Sequence, residues 1–172
     1  VEREGSAIAW PPDGAVVMNV AGYAEVFDSA VPVELEPGFT LRVASLAGLA
    51  ILKLIAWADR GAGDSRDAID FATLLRQYSA AGNEDRLYDA QIGVLEAVGY
   101  DFDLAGARLL GVDAGQIAAP STQRQILALF EDPACLDRLV LHVAQGLRAT
   151  VDALAEAGEL LDQFRAGLQR EE

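Results

Sequence analysis

Residues 44–58 form an apolar run of fifteen positions broken by a single charge, Lys53. It is the only lysine in the chain; the twelve other cationic residues are all arginine. The run falls short of the roughly 20 residues a membrane-crossing helix needs, so it must pack against the protein itself. An ammonium in such a setting costs several kcal/mol unless an acid meets it. The fold must therefore bring a carboxylate to Lys53. Acids follow closely, at Asp59, Asp64, Asp67 and Asp70.

Helical spacing governs everything after this point. Ser45 caps a helix running to about residue 60, which the Gly61-Ala62-Gly63 stretch ends. Asp64 caps the next helix, with Ile69, Ala72, Leu74, Leu75 and Tyr78 as its apolar positions. Further helices are expected over 84–98, closed by Gly99, over 102–110, closed by Gly111, and over 120–130. Asp132-Pro133 opens the last one, with Asp as N-cap and Pro at the first helical position.

That last helix carries a heptad seam. Leu136, Val140, Val143, Leu147, Thr150, Leu154, Ala157, Leu161, Phe164 and Leu168 alternate steps of four and three. A continuous helix over 133–172 would be about 50 Å long, more than a compact domain of this size needs. Gly146, Gly158 and Gly167 weaken it, with Gly158 the expected break point. Two readings stay open: packing on the protein's own bundle, or a seam for a homodimer or another partner through 136–168.

The first 44 residues read differently. Trp10-Pro11-Pro12-Asp13-Gly14 is a turn or loop, 15–20 a strand, 22–30 a short helix. Two strands, 31–35 and 39–43, flank a turn at Glu36-Pro37-Gly38. So few strands make a marginal sheet.

Hydrophobic residues make up 52%, enough for a core, and net charge is −14. A chain this acidic repels a phosphate backbone on average, so nucleic acid is admitted only at a local basic site. One cysteine, Cys135, excludes an internal disulfide and fits a reducing cytoplasm. His142 has no Cys/His cluster around it to form a zinc site, and reads as a packing histidine. Asp101-Phe102-Asp103 reads as helix caps.

The residues around Lys53 are the candidate site. Lys53, Trp57 and Arg60 lie at i, i+4 and i+7, on one helix face. Asp67 and Asp70 share a face of the next helix, and Arg66 stands at i−4 from Asp70. The tight glycine connection favours an antiparallel helix pair, which returns Asp67 or Asp70 toward Lys53. Such cations bind phosphates. The structural alternatives are an N-terminal helix acid at Asp67, a local ion pair of Arg66 with Asp70, and a snorkelling Lys53.

The stretch 43–60, followed by Ser65, Arg66, Asp67, Asp70 and the apolar residues to Leu75, resembles the AbiEii/AbiGii nucleotidyltransferase family. That family is polymerase-β-like and includes toxins of type IV toxin–antitoxin systems. Lys53 matches its lysine in an apolar helix; Arg66, Asp67 and Asp70 match its Arg/Asp segment. Trp10 to Asp13, Met18 to Val20, and 104–111 also resemble one bacterial branch, so the likeness covers residues 8–112.

The resemblance implies NTP and Mg²⁺ as ligands, nucleotide transfer to an RNA or protein acceptor, and a cognate antitoxin as partner. Lys53, Arg60 and Arg66 would contact phosphates; Asp67 and Asp70 would orient those cations or the base. One departure is large. The family's glycine-rich turn with an Asp-x-Asp pair, whose carboxylates hold the two metals, is not found here, so the resemblance assigns no catalytic carboxylate and no metal ligand. In the resembling proteins that portion precedes the matched segment.

The expectation is an α+β fold, mostly α, corresponding to the C-terminal part of such a protein and inactive alone. It comprises the remnant of a nucleotidyltransferase mixed sheet over 1–44, a helical bundle domain over 45–132 and a long C-terminal helix over 133–172. The alternative function is a non-catalytic helical interaction module acting through the heptad seam.

Overall fold

The structure, a computed structural model, describes residues 3–4, 7–10, 16–147 and 152–169. The α+β, mostly helical class read from the sequence is the class observed. Three short strands, β1 (Arg3–Glu4), β2 (Ala7–Trp10) and β3 (Val16–Asn19), form one antiparallel sheet in that order. Helix α1 (Tyr23–Asp28) leads to the hairpin β4 (Val31–Glu36) and β5 (Phe39–Val43). The sequence reading missed β1 and β2, and the remainder of its expected turn, 11–14, lies outside the described residues. All described strand pairs are antiparallel. The parallel pairs of a mixed sheet require crossovers of a dozen or more residues, whereas β4 and β5 are joined by a tight turn with Gly38 at φ 82°.

The hairpin is exposed along its full length. Its register pairs Val31 with Val43 and Val33 with Leu41, so one face is apolar and the other carries Pro32, Glu34, Thr40 and Arg42. Arg42 ties it to α1, stacking on the Phe27 ring at 4.6 Å and donating to the Phe27 and Asp28 carbonyls.

Helix α2 (Leu46–Arg60) starts where expected, with the Ser45 hydroxyl accepting from the Gly48 amide at 3.1 Å. It buries Ile51, Leu54, Ile55 and Trp57, each burial worth about 1.5–3 kcal/mol. A single 3₁₀ turn (Gly61–Gly63) leads to α3 (Arg66–Gln77). The N-cap is Ser65, not Asp64. Asp64 instead accepts from the Arg66 amide at 3.0 Å, a local turn that precedes the helix.

The helix expected over 84–98 is two: α4 (Glu84–Tyr88) and α5 (Ile92–Ala97). Eight positions of straight helix would point Leu87 and Leu95 about 80° apart; the break lets both be fully buried. Helix α6 (Phe102–Ile117) does not end at Gly111. It is capped by Asp101, whose carboxylate accepts from the Asp103 and Leu104 amides. α7 (Pro120–Glu131) follows.

The single helix expected over 133–172 is likewise two, α8 (Pro133–Gly146) and α9 (Ala153–Leu168). α8 ends at Gly146 and α9 begins at Ala153, whereas Gly158, the expected break point, lies within α9 facing open space. α9 folds back on the bundle. Val143, Leu147, Ala157, Leu161, Phe164 and Leu168 of the seam are buried in the common core, and Leu154 is exposed. Thr150 lies outside the described residues. Most of the seam therefore meets the protein's own helices, with Leu136 and Val140 only partly buried.

What seats α9 is a pair of glycines. A Cβ at Gly111 would run into the Phe164 carbonyl, and one at Gly167 into the Arg108 carbonyl. The two helices cross backbone to backbone. Nearby, Arg86 forks onto Asp113 with two bonds of 2.8 Å and the Tyr78 hydroxyl donates to the same carboxylate. This network joins the end of α3 and the start of α4 to α6, and burial raises the Tyr78 hydroxyl above its usual pKa. Among the described residues no helix is long and apolar enough to cross a membrane.

Candidate functional site

The α2–α3 pair places the charges that the sequence brought under suspicion. Lys53 lies eight positions after the Ser45 cap, on the face of α2 turned toward α3. Its ammonium donates to Asp70 Oδ2 at 2.6 Å and to Asp67 Oδ1 at 3.1 Å. Arg60, two turns further on, donates to the other oxygen of Asp67 at 2.5 Å. Arg60 meets the start of α3 while Lys53 reaches on to Asp70, the order expected of a returning helix. Asp67 is thus a bridge between two cations.

Burial separates the members. The Asp67 side chain is 6% exposed, Lys53 30%, Arg60 52% and Asp70 57%. The inner carboxylate is fully engaged, and the two cations keep part of their surface in solvent. Hydrogen bonding to Asp70, the largest effect, raises the Lys53 pKa against the opposing effect of burial. The ammonium stays charged.

Two members of the sequence-derived set stand elsewhere. Arg66 turns back to Asp64, with bonds of 2.6–3.1 Å, and its side chain is 80% exposed. It makes no ion pair with Asp70, because the adjacent acid captures it first. Trp57 is fully buried and turns to α8. Its indole donates to His142 Nδ1 at 3.0 Å, and the Arg138 guanidinium lies 4.7 Å over its ring. An indole only donates, so His142 accepts at Nδ1 and carries its proton on Nε2. That is a packing histidine. Burial pushes the Cys135 thiol up, away from the reactive range.

A cavity of about 300 Å³, with no signal in the sequence, lies beside the cluster, between β3, the start of α1 and α2. Arg60 is common to both. Leu52, Ile55 and Ala56 form an apolar wall, and Tyr23, Asn19 and Asp59 line the rest. Another cavity, of about 600 Å³, lies between α1 and α7; Glu25 and Asp28 line it and no Lys or Arg does, so it does not suit a phosphate.

Among the described residues no group of three or more His, Cys, Asp or Glu side chains is arranged to hold a metal ion. Both oxygens of Asp67 already serve Lys53 and Arg60. The cluster presents cations to an anion; it does not offer a cage to one more cation.

A family model described as "Nucleotidyl transferase AbiEii toxin, Type IV TA system" matches residues 6–163. No curated protein and no solved structure matches significantly.

Proposed function

Because this chain belongs to the AbiEii nucleotidyl transferase toxin family of type IV toxin–antitoxin systems, we propose that its α2–α3 cluster binds the phosphates of an NTP. The nucleotide is passed to an RNA or protein acceptor in the complete transfer site. Lys53 and Arg60 supply the positive charge. Asp67 and Asp70 fix where that charge sits. The observation that carries this reading is Lys53: two carboxylates hold its ammonium in place, yet it remains 30% exposed. An ammonium has three N–H donors; two are engaged, and one is left for an incoming oxygen. A fixed donor loses less freedom on binding than a free side chain does. Arg66, paired with Asp64, is not assigned to the phosphates.

Mg²⁺, which the family implies, does not fit the donors described here. When bound in a transferase site, Mg²⁺ activates the attacking oxygen and neutralises the leaving pyrophosphate. The part assigned to this chain is confined to holding and orienting phosphate. A cognate antitoxin as partner and the cytoplasm as the place of action accord with the family and belong to the same proposal. The alternative, an interaction module acting through the C-terminal seam, has less to support it, since Val143, Leu147, Ala157, Leu161, Phe164 and Leu168 are taken up by the protein's own core.

Phosphorus NMR of an NTP titrated with the protein tests the assignment. The phosphate resonances should shift or broaden with the native chain and do so far less with Lys53→Ala. Equal perturbation by both would remove Lys53 from the site.

A further inference from the structure

We infer that the cavity between β3, α1 and α2 is a nucleobase pocket for the nucleotide whose phosphates meet Lys53 and Arg60. The inference rests on the phosphate reading above and extends it to the other end of the substrate.

Four observations carry it. The first is size: about 300 Å³, the low end of ordinary small-ligand sites and ample for one flat heterocycle. The second is the lining. Leu52, Ile55 and Ala56 form an apolar wall along one face of α2, and Tyr23, half exposed, stands at the cavity with its ring available for stacking. Base–aromatic stacking tolerates any base because each has a π face.

The third is a fixed hydrogen-bonding pair. Asn19 Oδ1 accepts from the Ala21 amide at 3.0 Å, and Asn19 Nδ2 donates to Asp59 Oδ1 at 3.0 Å. A backbone amide can only donate, so the side-chain amide of Asn19 has one orientation. Its nitrogen must face Asp59. Nδ2 carries a second hydrogen and the Asp59 carboxylate a second oxygen, so this pair brings one further donor and one further acceptor to the cavity lining. The Watson–Crick edge of every nucleobase presents an acceptor next to a donor, and that edge is what base-binding pockets read.

The fourth is position. Arg60 lines the cavity and donates to Asp67. On α2, the Leu52–Asp59 face and the Lys53–Arg60 face are adjacent, with Ala56 between them. Alanine leaves the way between the two faces open for a sugar and its phosphates. In the sequence, Asn19 belongs to a family-like segment and Asp59 is one acid among several near Lys53.

The test is calorimetric titration of the full chain with ATP, GTP, CTP, UTP and inorganic tripolyphosphate, at one Mg²⁺ concentration. At least one NTP should bind about tenfold more tightly than tripolyphosphate. Tyr23→Ala and Asp59→Ala should each remove that advantage and leave tripolyphosphate binding unchanged. Tyr23→Phe, which keeps the ring, should retain it. If tripolyphosphate binds as well as every NTP, the pocket is not a base site, while the phosphate reading stands. If an NTP is preferred and neither substitution alters the preference, the base lies elsewhere and the inference falls. If nothing binds, both readings fall together.

Discussion

Asp67 receives Lys53 at 3.1 Å on one carboxylate oxygen and a second cation, Arg60, on the other. The buried acid is therefore the keystone, and the exposed one, Asp70, is auxiliary. Removing one partner of a buried ion pair leaves the others uncompensated and costs about 3–5 kcal/mol, reduced here because both cations are partly solvated. Asp67→Ala should destabilise the fold by roughly 2–3 kcal/mol in urea unfolding. Asp70→Ala should cost at most about 1 kcal/mol. The reverse order would mean that the cluster is organised from its surface.

A second contrast concerns glycines that look alike on a helical wheel. Gly167→Ala must push a methyl group into the Arg108 carbonyl, where backbone, not a flexible side chain, stands in the way. The expected loss is about 3 kcal/mol or more, with α9 loosened from α6. Gly158→Ala enters open space within the same helix and should gain about 0.5–1 kcal/mol from helix propensity. Two similar values from thermal or urea unfolding would contradict the close crossing of α6 and α9.

Alkaline stability follows from two raised pKa values. Hydrogen bonding to Asp70 first of all raises Lys53, and desolvation first of all raises Tyr78. Both groups hold their proton more tightly folded than unfolded. Their contribution is fully present below the unfolded values, about 10 for tyrosine and about 10.4 for lysine. It is lost as pH rises through the folded values. Unfolding free energy should therefore hold up to about pH 10 and fall as pH rises beyond it, and fall less steeply in Lys53→Met. A profile that is flat or rising beyond that pH would refute the assignment.

How far the sequence exposes this architecture depends on the range of the interaction. The Ser45 cap, the α2–α3 pair and the meeting of Lys53 with Asp67 and Asp70 are legible, because an ammonium in an apolar helix demands an acid and the glycine turn limits which acids can reach it. Arg66 misleads because a contact two residues away outcompetes the helical i+4 partner. Gly111 and Gly167 mislead for another reason. A glycine that ends a helix and one that admits a neighbouring backbone are the same letter, and only the tertiary crossing tells them apart. That α9 packs back on the bundle, and does not continue α8, is of the same kind. Asn19 and Asp59, 40 positions apart and joined by one hydrogen bond, lie in two separate family-like segments, and neither periodicity nor spacing pairs them.

Transfer chemistry supplies a further check. If this chain's part is confined to holding phosphate, as proposed above, then incubation with labelled NTP, Mg²⁺ and total tRNA should yield no labelled product. Mg²⁺-dependent labelling that survives repurification and disappears in Lys53→Ala would place a working active site in this chain.

The central claim is that Lys53 serves a ligand and is more than a strut between α2 and α3. Lys53→Met keeps most of the side chain's length and apolar contact while deleting the charge. The decisive measurement is the NTP dissociation constant of this variant, taken with its unfolding free energy. The account predicts an affinity loss of at least about tenfold, or 1.4 kcal/mol, with a smaller change in stability. A variant that loses stability while binding the nucleotide as tightly as the native chain would contradict it.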